Sequence, residues 1–169
     1  PAETRYARFY ERLAKQIEPH LQGDPDKLDV YLNFFESQII HDKRLIAFDV
    51  VAERAGNRVV LTGSAEFPEH VSSLLSMLDV LGITEIENRI VTMPRMSEPA
   101  PFARVQSARA FVGSRDGREV VNEVIPGEPV YLLESVSGGF LCHAPDGYVG
   151  VIAASDVATV PRAEFNALI

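Results

Sequence analysis

Tryptophan is absent from the 169 residues, and cysteine occurs once. A single thiol cannot form an internal disulfide, so the fold must rest on its apolar core. No apolar run reaches the ~18 residues that a membrane helix requires, so no helical span is expected. Basic residues are the minority, 16 Lys and Arg against 24 Asp and Glu, for a net charge of −8. An acidic chain without basic clusters is poorly suited to nonspecific binding of nucleic acid or anionic membrane. The N-terminus, PAETRYARFYERLAK, lacks the apolar core of a secretory signal, which leaves export open. GxGxxG and P-loop motifs are missing, and His20, His41, His70 and His143 are scattered without ligand spacing. No cofactor and no metal are therefore expected.

What is present is globular in composition, with 46% hydrophobic and 24% charged residues. The length admits one ordinary domain or two small ones. Three prolines within Pro94–Pro101 read as a semi-rigid linker, because proline removes donors and biases its neighbour to extended backbone. The expected division is a helical and α/β domain over 1–93, a linker over 94–103, a small β domain over 104–160 and a tail over 161–169. Acidity is shared, with 10 basic and 15 acidic residues in 1–93 and 4 and 7 in 102–160.

In the first half, Tyr6, Phe9, Tyr10, Leu13 and Ile17 recur at helical spacing until Pro19. Asp24-Pro25 reads as a cap followed by proline at the first helical position, and Leu28, Tyr31, Leu32, Phe35 and Ile39 continue the period. Leu45–Ala52 and Arg58–Ser64, joined through Ala55-Gly56-Asn57, read as a hairpin. Pro68 opens a helix carrying Val71, Leu74, Leu75 and Leu78, with Gly82 as its left-handed stop. Ile83–Thr92 then reads as a strand. The order β-β-α-β with helices in front predicts an α+β layer structure.

The runs Val59-Val60-Leu61-Thr62-Gly63-Ser64-Ala65 and Leu81-Gly82-Ile83-Thr84-Glu85-Ile86-Glu87-Asn88-Arg89-Ile90-Val91 carry a resemblance. They resemble the two strands of a BON domain, with Gly63, Gly82 and Asn88 at the family's positions, over about residues 45–93. The resemblance implies a small envelope or secreted α/β module that binds lipid or a partner and catalyses nothing. On chemistry alone, Asn88 is best read as bonding nearby backbone.

In the second half, Val105–Val112, Val120–Ile125, Val130–Val136, Phe140–Ala144 and Tyr148–Ile152 are five strand candidates separated by Gly and Pro turns. That spacing predicts a small barrel or sandwich. Gly127-Glu128-Pro129-Val130-Tyr131-Leu132-Leu133, then Gly139-Phe140-Leu141-Cys142, then Asp146-Gly147-Tyr148-Val149-Gly150-Val151-Ile152 resemble a bacterial SH3 domain over about residues 104–160. Such domains often precede NlpC-type peptidases that cleave peptidoglycan stem peptides. The resemblance implies a targeting module for such peptides, with Tyr131, Phe140 and Tyr148 as aromatic contacts and Arg115 and Asp116 on the loop beside the groove. Two departures weaken the groove: Phe140 stands where the family carries tryptophan, and Val151 replaces an aromatic residue.

A thiol peptidase needs a nucleophile beside a histidine. Cys142 and His143 are neighbours in a predicted strand, so they point to opposite faces and cannot form a dyad. The combined expectation is an α+β chain: N-terminal helices plus a BON-like α/β sandwich, followed by a small all-β SH3-like barrel. Its expected role is non-catalytic binding or targeting in the bacterial envelope, directed to cell-wall peptides or another envelope protein. The alternatives are the N-terminal part of an NlpC-type endopeptidase and a scaffold or oligomerisation module.

Overall fold

The alternation of buried and exposed residues along the strands at Phe48–Ala55 (β1) and Arg58–Ala65 (β2) leaves one face of their hairpin apolar. Phe48 and Val50 from β1 and Val59 and Leu61 from β2 are buried on it. A computed structural model describes residues 2–95, 102–107, 110–113 and 119–167. The chain is α+β and forms two units. The first contains residues 1–41 and 48–92, and the second 42–47 and 93–169. Among the described residues no helix is long and apolar enough to cross a membrane.

In the first unit, helix α1 spans Ala2–Ile17. Asp24 caps a short 3-10 turn at Pro25–Lys27, its carboxylate accepting the Asp26 amide at 2.9 Å. Helix α2, Leu28–Ile39, follows and buries Leu28, Tyr31, Leu32 and Phe35. Helix α3, Pro68–Val80, buries Val71, Leu74, Met77 and Leu78. Its proline opens the first turn, where no amide is needed. Gly82, at φ +84°, ends it as expected. Each fully buried Leu, Phe or Met contributes about 1.5–3 kcal/mol relative to exposure.

β1 and β2 pair antiparallel, Val50 opposite Gly63. A Cβ on Gly63 would lie 2.0 Å from the Asp49 carbonyl oxygen, and its φ of +110° is open to glycine alone. From β2 the chain crosses over through α3 and returns parallel to β2. The return is two short strands, Ile86–Asn88 (β3) and Val91–Thr92 (β4), where sequence periodicity predicts one over 83–92. Asn88 causes the break. Its side-chain oxygen accepts the Ile90 amide at 3.0 Å, and Arg89 donates its amide to the Leu61 carbonyl at 2.8 Å.

Among the described residues the second unit contains seven strands, where five are expected. They are Phe102–Val105 (β5), Ala110–Gly113 (β6), Val120–Val124 (β7), Pro129–Val136 (β8), Gly139–His143 (β9), Val149–Ala153 (β10) and Val157–Thr159 (β11). A short helix α4, Arg162–Asn166, lies in the segment expected to be a tail. The single strand expected over 105–112 is two, because β5 pairs with β8 and β11 while β6 pairs with β10 and β7. All pairings are antiparallel, in the order β11-β5-β8-β9-β10-β6-β7. A Cβ on Gly150 would sit 2.4 Å from the Gly113 carbonyl oxygen, so glycine is what permits β10 and β6 to approach.

Among the described residues, two apolar clusters organise this unit. One contains Ala103, Val105, Ala110, Val112, Val130, Leu132, Cys142 and Ile152. The other contains Leu133, Leu141 and Val149 together with Ala47 and Met93. A register shift between Leu132 and Glu134 makes Leu133 an extra residue, and it is how neighbouring Leu132 and Leu133 enter different clusters.

The strand expected from Leu45 starts at Phe48 instead, because residues 42–47 belong to the second unit. There Ala47 is fully buried, and the Arg44 carbonyl accepts the Val149 amide at 2.6 Å. On the same face Arg95 donates its amide to the Leu133 carbonyl at 2.8 Å and its guanidinium to Glu134 at 3.2 Å. The remainder of the proline-rich linker, 96–101, lies outside the described residues.

Candidate functional site

Of the five binding residues expected from sequence, Arg115 and Asp116 lie outside the described residues. The other three are not brought together as one aromatic wall. Phe140 packs against the cluster that contains Cys142 and Ile152. Tyr131 packs against the other cluster, beside Leu133, Leu141 and Val149. Alternation along paired strands accounts for the split, since the two rings are borne on strand faces that look in opposite directions.

Tyr131 also has an aromatic neighbour. Its ring meets Phe102 edge-on at 5.7 Å, and Phe102 lies against Phe165 of α4 at 4.9 Å. The Arg162 guanidinium sits 5.8 Å from the Phe102 ring centroid. Tyr148 is half-buried at the turn into β10, its amide held by the Asp146 carboxylate at 3.2 Å. The Arg44 guanidinium lies 5.7 Å from the Tyr148 ring centroid, within reach of a cation–π contact. Asp42 fixes that guanidinium through two bonds of 3.0 and 2.8 Å. The Arg44 bonds hold the Asp42 carboxyl below its ordinary range. Residues 42–47 thus occupy the sheet face on which Tyr131 lies, and they reach Tyr148. Sequence spacing contains no signal for Arg44, because its partner is far along the chain and the contact is tertiary.

No protein-family model, curated protein or solved structure matches the chain.

The thiol and imidazole fall as strand alternation predicts. Cys142 is fully buried in the apolar cluster, and burial pushes its thiol up to about 12. At neutral pH it is neither a thiolate nor accessible, which makes it inert. His143 Nδ1 lies 2.9 Å from the Gly147 carbonyl oxygen, a contact that braces the turn into β10. Among the described residues no group of three His, Cys, Asp or Glu could hold a metal ion. A recess of about 240 Å³ in the first unit is lined by Pro25, Asp26, Leu28, Asp29, Ala52 and Arg54. Its Arg54 and Asp26 bond each other at 2.7 Å across the exposed rim.

Proposed function

We propose that the chain is a non-catalytic binding and targeting module of the bacterial cell envelope, pairing a BON-like unit with an SH3-like unit that recognises peptidoglycan peptides. The observation that carries this reading is the strand order β11-β5-β8-β9-β10, in which the Asp146-Gly147-Tyr148-Val149-Gly150 run forms the turn into β10. Within that run Gly150 is required by the close approach of β10 to β6, and Gly147 by the left-handed turn it makes at φ +89°. The hairpin followed by a parallel crossover through α3 supports the BON-like part.

In this reading the peptide contacts Tyr148 and the loop bearing Arg115 and Asp116, while Phe140 serves the core. The test is co-sedimentation with purified peptidoglycan sacculi. Retention above a control protein of equal charge, reduced by Tyr148→Ala, is expected. No retention overturns the proposal. The Asp-Gly-Tyr-Val-Gly run also favours a second reading, the N-terminal part of an NlpC-type endopeptidase. Reading the gene past Ile169 decides that point: a Cys and His peptidase motif supports it, and a stop codon removes it.

A further inference from the structure

Residues 119–161 contain Glu119, Glu123, Glu128, Glu134, Asp146 and Asp156 and no lysine or arginine. Glu134 is paired with Arg95 at 3.2 Å. The stretch therefore presents charge of one sign. Within it, β7 is the terminal strand of the sheet and pairs with β6 alone among the described residues. Among the described residues no strand lies beside its other edge.

The side chains of β7 and its continuation divide cleanly. Val121 and Val124 pack into the apolar cluster. Val120 and Ile125 are 64% and 59% exposed, and the exposed Glu123 lies between them. Six residues of strand span roughly 20 Å. A free edge with exposed aliphatic side chains is a template for pairing with another chain. The extra residue opposite Val112 and Gly113 bends the start of the strand, and Glu128 holds the Ile125 amide at 2.8 Å. Both features narrow the backbone available for pairing to about Asn122–Val124, and Val120 and Ile125 remain as side-chain anchors on either side.

We propose that β7 docks an extended segment of a partner protein whose outward side chains read apolar, cationic, apolar. Backbone pairing with Asn122–Val124 supplies the strand contact. A cation opposite Glu123 supplies the charge match, and the two aliphatic groups cover Val120 and Ile125. A second copy of this chain is the wrong partner, because it would bring another Glu123 and the same uniformly acidic stretch to the interface.

The test uses the full chain and an end-blocked, fluorescein-labelled heptapeptide, Thr-Val-Thr-Lys-Thr-Val-Thr, followed by anisotropy at low salt. Saturable binding is expected. Replacing the peptide's Lys by Glu should weaken it about tenfold, since attraction becomes repulsion. Methylating alternate peptide amides should abolish it. Glu123→Lys should reverse the preference between the two peptides, and Val120→Thr with Ile125→Thr should weaken both. Equal binding of the Lys and Glu peptides, unchanged binding after amide methylation, or no binding at all overturns the proposal. So does a dimer in sedimentation that the Val120→Thr, Ile125→Thr variant dissociates, because the edge would then be filled by the chain itself.

Discussion

Tyr31→Phe deletes one oxygen from the centre of the first unit. The Tyr31 ring has no solvent exposure, and its hydroxyl donates to Glu18 Oε1 at 2.9 Å while accepting the Asp24 amide at 2.8 Å. It ties the residue just after α1 to the cap that starts the 3-10 turn before α2. Burial raises the Tyr31 pKa, so the phenol is neutral at physiological pH. A hydrogen bond to a charged acceptor contributes about 1.5–3 kcal/mol and a neutral one about 0.5–1.5 kcal/mol. Glu18 keeps its Lys27 partner at 3.0 Å and some solvent access, so part of that loss is recovered. The expected net cost is about 2 kcal/mol. For a unit of 60–100 residues each kcal/mol moves the midpoint by roughly 4–8 °C, so the first unit's transition should fall by about 8–16 °C. Differential scanning calorimetry of the full chain reads this directly. Adding Glu18→Gln in a double-mutant cycle should give a non-zero coupling energy, because the charged acceptor is replaced by a neutral one. A midpoint shift under about 2 °C, or no coupling to Glu18, would refute the claim that this hydroxyl joins the two helices.

Four further outcomes follow from the same geometry. Gly150→Ala should destabilise the second unit by about 2–3 kcal/mol, because its Cβ meets the Gly113 oxygen; urea unfolding followed by second-unit fluorescence labels measures it. His70 lies edge-on to Phe67 and Phe48, and its Nδ1 is buried without a hydrogen-bond partner. Burial lowers its pKa below 6.5, against a smaller opposing pull from Glu66 and Glu69. The unfolded chain therefore takes up the proton first, so stability is full above pH 6.5 and declines as pH falls below it. His70→Gln should flatten that decline in urea midpoints compared at pH 7.5 and 5. Cys142 should resist thiol reagents until the second unit unfolds, and labelling at native rates equal to unfolded ones would contradict its burial. Ala47→Glu should lower the second unit's midpoint, since an unpaired carboxylate would enter the Leu133, Leu141 and Val149 cluster; an unchanged midpoint would place residues 42–47 elsewhere.

Local chemistry in the sequence determined the three long helices, the hairpin and the glycine stops. Apolar period, proline at a first turn and an Asp cap act within a few residues, so they are readable without knowing what lies across the core. The burial of Tyr31 and Phe35 and the inertness of Cys142 were legible for the same reason. Tertiary structure alone decided the rest. It split the strand expected over 83–92, where the Asn88 side chain competes with the ladder, and it divided 105–112 between two different partners. It also drew residues 42–47 to the second unit, because Ala47 and the Arg44 carbonyl find their partners around Leu141 and Val149. The candidate site depended on that last step. Alternation along the β8–β9 hairpin separates Tyr131 from Phe140 locally, whereas the contact of Arg44 with Tyr148 joins residues far apart in the chain, which no local pattern encodes.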